Sequence, residues 1–280
     1  MNQAVTAASD RRPGTRRCLF CGGRANSREH AIPEWLSKRM GIRELGFQPG
    51  HFSEDEGLKL RPLIKCEHLK TKQVCNACNN GWMSELEAWA QKHFGACVEP
   101  NFQPERLIQL ESTRSEAKQL IRWLLKTAII IEHAFPQGEM TKVVPSLFQV
   151  ARGSEEPTDF HVWAAYIYEP GFKLHVLRGF SVWNGGVLQP YQVHAKSMNF
   201  GIQLNHLALR LFRCPSAHPW VKGHIIQPGG VRSMPLCLTQ EARCTFPHNH
   251  VYPTLESFMD ALEACADASD EKESARIERA

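Results

Sequence analysis

Two Cys-x-x-Cys pairs, Cys18-Leu19-Phe20-Cys21 and Cys75-Asn76-Ala77-Cys78, constrain this chain more than any other feature. Two residues between thiolates let both sulfurs reach one ion at a Zn–S distance of about 2.3 Å, and two such pairs close a tetrahedral shell. Four protein ligands leave no open position, so the expected zinc is structural. Gly22-Gly23, directly after the first pair, permits the tight turn beneath the metal. The chain has ten cysteines, and Met1 to Pro13 lacks the apolar core of a secretory signal. Reduced thiols in a cytoplasm are therefore expected, and paired cysteines read as metal ligands rather than disulfides. Cys66 and His68 are the alternative donors for one place in the shell.

At 280 residues the chain can form one large domain or two modest ones around a sizeable core. Hydrophobic residues make up 42% and charged residues 22%, values that suit a globular protein. The most apolar stretch, Leu120 to Ile131, is interrupted by Arg122 and Lys126. It is also shorter than the roughly 20 residues a bilayer requires, so no membrane span is expected. A net charge of +4 is too small to identify a polyanion partner. Its distribution says more. Residues 11–39 carry Arg11, Arg12, Arg16, Arg17, Arg24, Arg28, Lys38 and Arg39 against Glu29 and Glu34, a local basic bias that fits either nucleic-acid contact or a solubilising arm.

The composition divides the chain into a flexible basic arm (1–16), the cysteine-bearing module (17–95), a helical connector (96–140), an α+β region (141–266) and a charged tail (267–280). Within the module a long turn-rich connection runs from Gly41 to Pro62. The pattern predicts a helix from Asn79 to Phe94, with Asn79 or Asn80 at its start and Gly95 at its end. Met83, Leu86, Glu87 and Ala90 share one of its faces. Thr113 and Glu116 have capping-box spacing before a second helix that stops ahead of Pro136. Its stripe is Ala117, Leu120, Ile121, Leu124, Ala128 and Ile131. The segments 161–168, 173–180 and 204–212 read as strands, with Pro170-Gly171 predicting a hairpin between the first two. Thr254 is placed to cap a last helix carrying Leu255, Phe258, Met259, Leu262 and Cys265. Trp82, Trp89 and Trp123 fall on helices as core residues, and Cys237, Cys244, His248 and His250 have no recognisable zinc spacing. The fold class is α+β, with an antiparallel-sheet-rich C-terminal region.

Between the cysteine pairs lies Arg28-Glu29-His30-Ala31-Ile32-Pro33-Glu34-Trp35, and after the second pair comes Asn79-Asn80-Gly81-Trp82-Met83. On these motifs residues 17–95 resemble the zinc-bearing four-cysteine branch of the HNH (ββα-metal) endonuclease family. The resemblance extends loosely through Trp123 to Glu132 and does not reach the C-terminal half. It implies an N-terminal ββα-metal module that hydrolyses DNA phosphodiester bonds, with RNA as the alternative substrate. By this resemblance His30 is the general base, and Glu29 and Asn79 (or Asn80) hold a catalytic Mg²⁺ or Mn²⁺. Histidine suits the base because its pKa near 6.5 leaves it neutral and able to accept a proton. Arg28 and Lys70 are the candidate substrate-phosphate contacts, Arg28 having Glu34 as its competing partner.

Two features cut across the resemblance. Glu29 and His30 are adjacent, so a regular strand points them to opposite sides, and a twist or bulge is needed to bring both to one site. The family also places an Asn shortly before the second cysteine pair, where this chain reads Glu67-His68-Leu69-Lys70-Thr71-Lys72. His68 or Lys70 would have to replace it. A nuclease of this kind would serve phage defence or a mobile element, with the C-terminal half engaging a protein partner or a second copy. The competing expectation is a zinc-ribbon nucleic-acid-binding protein without catalysis.

Overall fold

The computed structural model describes residues 16–47, 50–53, 57–60, 62–99, 108–112, 114–134, 145–157, 160–178, 198–213, 236–237, 242–246, 251–255 and 257. The expected arm before residue 16, the cap at Thr113, the stop at Pro136, His248, His250 and the tail lie outside these residues.

Strand β1 (Ser27–His30) leads through Pro33 into the short helix α1 (Glu34–Arg39). The segment expected to be a turn-rich connection contains short strands instead. These are β2 (Gly46–Phe47), β3 (Gly50–Ser53) and β4 (Gly57–Leu60), with β5 (Ile64–Lys65) just beyond. β2 pairs with β5, and β3 pairs with β4. Strand β6 (Lys70–Val74) then runs antiparallel to β1. Ser27 faces Val74, Glu29 faces Thr71 and His30 faces Lys70. Two steps along β1 thus match three along β6, a bulge on the β6 side.

The helical run after β6 begins earlier than the sequence pattern predicts. It opens at α2 (Asn76–Cys78), with Cys75 as the N-cap residue, so Asn79 stands a turn inside it. Cys75 caps because its sulfur accepts the Cys78 backbone N–H, as an Asp or Ser oxygen does elsewhere. The chain continues through Asn79–Met83, where Gly81 leaves helical geometry (φ −93°, ψ −120°), into α3 (Ser84–Phe94). Gly95 follows Phe94 but keeps a right-handed conformation (φ −56°) and starts a further tight turn to Val98.

After β7 (Ile108–Ser112) comes the 21-residue helix α4 (Arg114–Ala134). Every residue from Trp123 to Ile131 is buried, so the helix is enclosed on all sides rather than along the single stripe its spacing suggests. It packs against α3, β1, β6 and β7 and against α5 (Pro145–Arg152). It also packs against two strands of the C-terminal sheet. That sheet contains β8 (Phe160–Ile167), β9 (Phe172–Arg178), β10 (Met198–Leu204) and β11 (Leu207–Arg213). β12 (Leu236–Cys237) joins it, β13 (Ala242–Phe246) pairs with β7, and β14 (Val251–Tyr252) lies parallel to β8.

The order β12-β8-β11-β10-β9 corrects the expected hairpin at Pro170-Gly171. β8 and β9 are consecutive but do not pair. The β10–β11 hairpin lies between them, turning at Asn205-His206 with Asn205 in the left-handed region (φ 59°). The expected strand 204–212 therefore spans this turn. The Ile167 N–H donates to the His206 carbonyl and the Asn205 N–H to that of Gly171, which fixes the hairpin tip under the β8–β9 link. Cys237 and Cys244 fall on strands of different sheets.

One face of this sheet is a continuous apolar layer. Val162, Ala164 and Tyr166 on β8 stand opposite Leu211, Leu209 and Leu207, which face Phe200, Ile202 and Leu204 in turn. These residues belong to the same buried cluster as α4, Phe94, Leu36 and the cysteine pairs. Leu255 is buried as well, apart from that cluster. Thr254 caps as its position predicts, the Ser257 N–H donating to its Oγ1 at 3.2 Å. Trp123 is fully buried, whereas Trp82 and Trp89 lie partly buried against the cluster. Among the described residues no helix is long and apolar enough to cross a membrane.

Leu124→Ala is expected to lower unfolding free energy by about 2–5 kcal/mol, since a fully buried leucine leaves a cavity the enclosed helix cannot collapse around. Denaturant titration checks this, and a change below about 0.5 kcal/mol, typical of surface sites, would show α4 is not the centre of the core.

Candidate metal centre and the Glu29-His30 strand

The first cysteine pair sits on a compact loop. The Cys18 N–H donates to the Gly23 carbonyl (2.7 Å) and the Gly22 N–H to that of Cys18 (2.9 Å). Gly22 adopts φ +72°, a conformation that L side chains rarely take. Leu19 donates to the Gln73 carbonyl (2.9 Å), and the Asn76 N–H donates to Asn26 Oδ1 (2.8 Å). Both loops are thereby held to the β1–β6 pair.

The result is one cluster of four sulfurs, Cys18, Cys21, Cys75 and Cys78, all within 4.8 Å of one another. A tetrahedron with Zn–S bonds of about 2.3 Å has edges of about 3.8 Å, so the set matches zinc in chemistry and in size. Cys66, buried elsewhere in the core, is not one of the four, nor is His68. Burial raises Cys66 to about 11, the behaviour of a packed neutral thiol. In the cluster the thiols compete. Burial raises Cys75, but the Cys78 N–H and the neighbouring thiols outweigh it and bring Cys75 down to about 7. Burial pushes Cys78 and Cys21 up.

Glu29 and His30 are neighbours on β1 with different surroundings. The Glu29 side chain turns to α4, where Lys126 Nζ donates to its Oε1 at 3.0 Å. Lys126 is 1% exposed and also donates to Glu87 Oε1 on α3 at 2.6 Å. Trp35 Nε1 and Trp123 Nε1 donate to the other Glu87 oxygen at 2.7 and 3.2 Å. Burial alone would depress Lys126, but the carboxylates of Glu87 and Glu29 overcome this and hold its pKa above the ordinary value. An uncompensated buried ammonium would cost several kcal/mol.

His30 is half-buried opposite exposed Lys70. Burial lowers its pKa below 6.5 and Lys70 adds to this, while Glu34 and Glu29 oppose and Arg43 assists. Burial and the nearby cations thus favour the neutral imidazole. Arg28 is exposed on β1. Glu34, its expected alternative partner, is held instead by Lys38 (2.8 Å) and Arg43 (3.4 Å). Asn79 Nδ2 donates to Ser27 Oγ at 2.6 Å, tying the residue after the second cysteine pair to the start of β1.

The sequence pattern left out the partners of Glu29. Two signals marked them: Glu87 shares the apolar face of Met83, Leu86 and Ala90, and Lys126 interrupts the most apolar segment. A charge in such a position requires an opposite charge from another element. No protein family, curated protein or solved structure matches the chain.

Cys75→Ser is expected to lose zinc and unfold the region around β1 and β6. Structural zinc contributes on the order of 10 kcal/mol, comparable with the whole stability of a typical domain. Zinc content per chain and thermal melting measure this together. A stable Cys75→Ser protein that retains its fold without zinc would refute the four-thiolate site.

Proposed function

We propose that this protein is a metal-dependent nuclease of the HNH (ββα-metal) kind, hydrolysing phosphodiester bonds in DNA. The observation that carries the reading is the order and joining of parts: β1 with Glu29-His30, antiparallel β6, then a helical run opened by Cys75 and carrying Asn79, with four sulfurs gathered at the seam. Zinc there ties the strand that holds the base to the helix that holds Asn79.

In this mechanism the neutral His30 imidazole takes a proton from a water, and the resulting hydroxide attacks phosphorus, breaking the bond to the 3′ oxygen of one nucleotide, which takes a proton from solvent water and leaves as the 3′-hydroxyl. The resemblance implies 5′-phosphate and 3′-hydroxyl products, which places the broken bond at the P–O3′ link. A Mg²⁺ or Mn²⁺ ion held by Glu29 and Asn79 would act as a Lewis acid on the departing oxygen. Glu29 suits this because Mg²⁺ takes one or two carboxylates and keeps several waters. Asn79 offers its amide oxygen, the nitrogen being engaged by Ser27. Lys70 and Arg28, both exposed beside His30, supply positive charge for the substrate phosphate.

The second reading, a zinc-ribbon nucleic-acid-binding protein without catalysis, is favoured by the Lys126 contact to Glu29 and by the absence of Asn from residues 67–72. Magnesium-dependent plasmid cleavage by the purified protein separates the two. Under the nuclease reading, His30→Ala keeps zinc content, melting temperature and DNA binding while cleavage falls by about 10²- to 10⁴-fold. Cleavage at the wild-type rate removes His30 as the base, and an unfolded variant makes it a packing residue. Phage defence or mobile-element movement is the biology such an activity would serve, with the C-terminal sheet offered to a protein partner or a second copy.

A further inference from the structure

Two carboxylates, Glu29 and Glu87, share one ammonium, Lys126, and the sharing is unequal. Lys126 Nζ is 2.6 Å from Glu87 and 3.0 Å from Glu29. Among the described residues three N–H donors converge on Glu87, from Lys126, Trp35 and Trp123, and one reaches Glu29. Two carboxylates face one ammonium, so the group holds one acidic side chain in excess. Since Glu87 holds the shorter contact and both indoles, that surplus falls mainly on Glu29, the member on β1 beside His30.

We infer that Glu87 is a positioning residue that acts on Glu29 through Lys126, drawing the ammonium to itself so that Glu29 keeps enough charge to take a divalent cation. This rests on the proposed role of Glu29 as a cation ligand. Lys126 alone would both orient the Glu29 carboxylate and neutralise it, and a neutralised carboxylate is a poor ligand for a hard cation. Glu87 resolves the conflict. It leaves Lys126 as a rigid anchor on one Glu29 oxygen while taking up most of its charge. The two indoles hold Glu87 in place, and they come from α1 and α4, so the arrangement is fixed by three helices and not by a loop. Partners one step removed from a metal commonly change affinity by about 10- to 100-fold when altered.

The discriminating substitution is Glu87→Gln. It keeps the side-chain shape and an oxygen for the two indoles but removes the charge, so Lys126 turns wholly to Glu29. Mn²⁺ binding to zinc-loaded protein without DNA, followed by electron paramagnetic resonance, reads the effect independently of cleavage. Glu87→Gln is expected to weaken Mn²⁺ binding by about tenfold or more with zinc content unchanged. The double variant Lys126→Met/Glu87→Gln removes both charges and is expected to return affinity to about the wild-type value, the charge restored to Glu29 offsetting the lost anchor. It also serves if Glu87→Gln alone does not fold. Wild-type affinity in Glu87→Gln, or weakened affinity in the double variant, overturns the inference while leaving Glu29 as a ligand. A wild-type protein whose Mn²⁺ binding is the same after Glu29→Ala overturns the inference together with the metal role proposed for Glu29.

Discussion

A single ammonium in the middle of an enclosed helix governs this structure. Lys126 has no route to water from α4, so the chain had to bring carboxylates to it. They come from β1 and from α3, two elements that the sequence separates by the whole of the β2–β5 excursion. Hydrophobic contact would tolerate some sliding of these elements. A buried charge does not, because a displaced partner leaves an ion in a medium that cannot solvate it. The Glu29–Lys126–Glu87 group therefore fixes the register of the strand, and Trp35 extends the same restraint to α1.

The four sulfurs act at the other end of the same strand. They bind the loop before β1 to the loop after β6, while Lys126 grips β1 near its far end. Between the two restraints lies a pair of strands with a bulge, too short to be stable alone. Behind them the apolar cluster runs without interruption from the cysteine loops through α4 to the C-terminal sheet. The region read as a connector thus holds α4, whose buried residues join the same cluster as the cysteine loops and the C-terminal sheet.

How much of this was legible follows from the range of each interaction. The cysteine pairs declared themselves because two short spacings encode the chemistry locally. Helix α4 did so because its stripe repeats over many turns. The helix after β6 starts before Asn79 because its cap is a sulfur, a residue type that capping preference does not single out. Lys126 and Glu87 stood out only as charges in apolar places. Which acids would meet which base depends on contacts 39 and 97 residues apart, for which a single sequence carries no periodicity. Pro170-Gly171 is sound turn chemistry, yet the strands on either side were kept apart by a hairpin still to come.

That separation has a kinetic consequence. β8 and β9 are joined by four residues and emerge one after the other during synthesis, so their direct pairing is the cheapest one available in loop-closure entropy. The native sheet instead requires residues 198–213 to enter between them and replace that pairing along both edges. The C-terminal sheet must then complete late, since its central pairings wait for residues 198–213. α4 buries its far side against β8 and β11, so the helix that carries Lys126 stays partly uncovered until this exchange is made. The packing around β1 and the four-cysteine cluster is in this sense finished by a strand made more than a hundred residues after it.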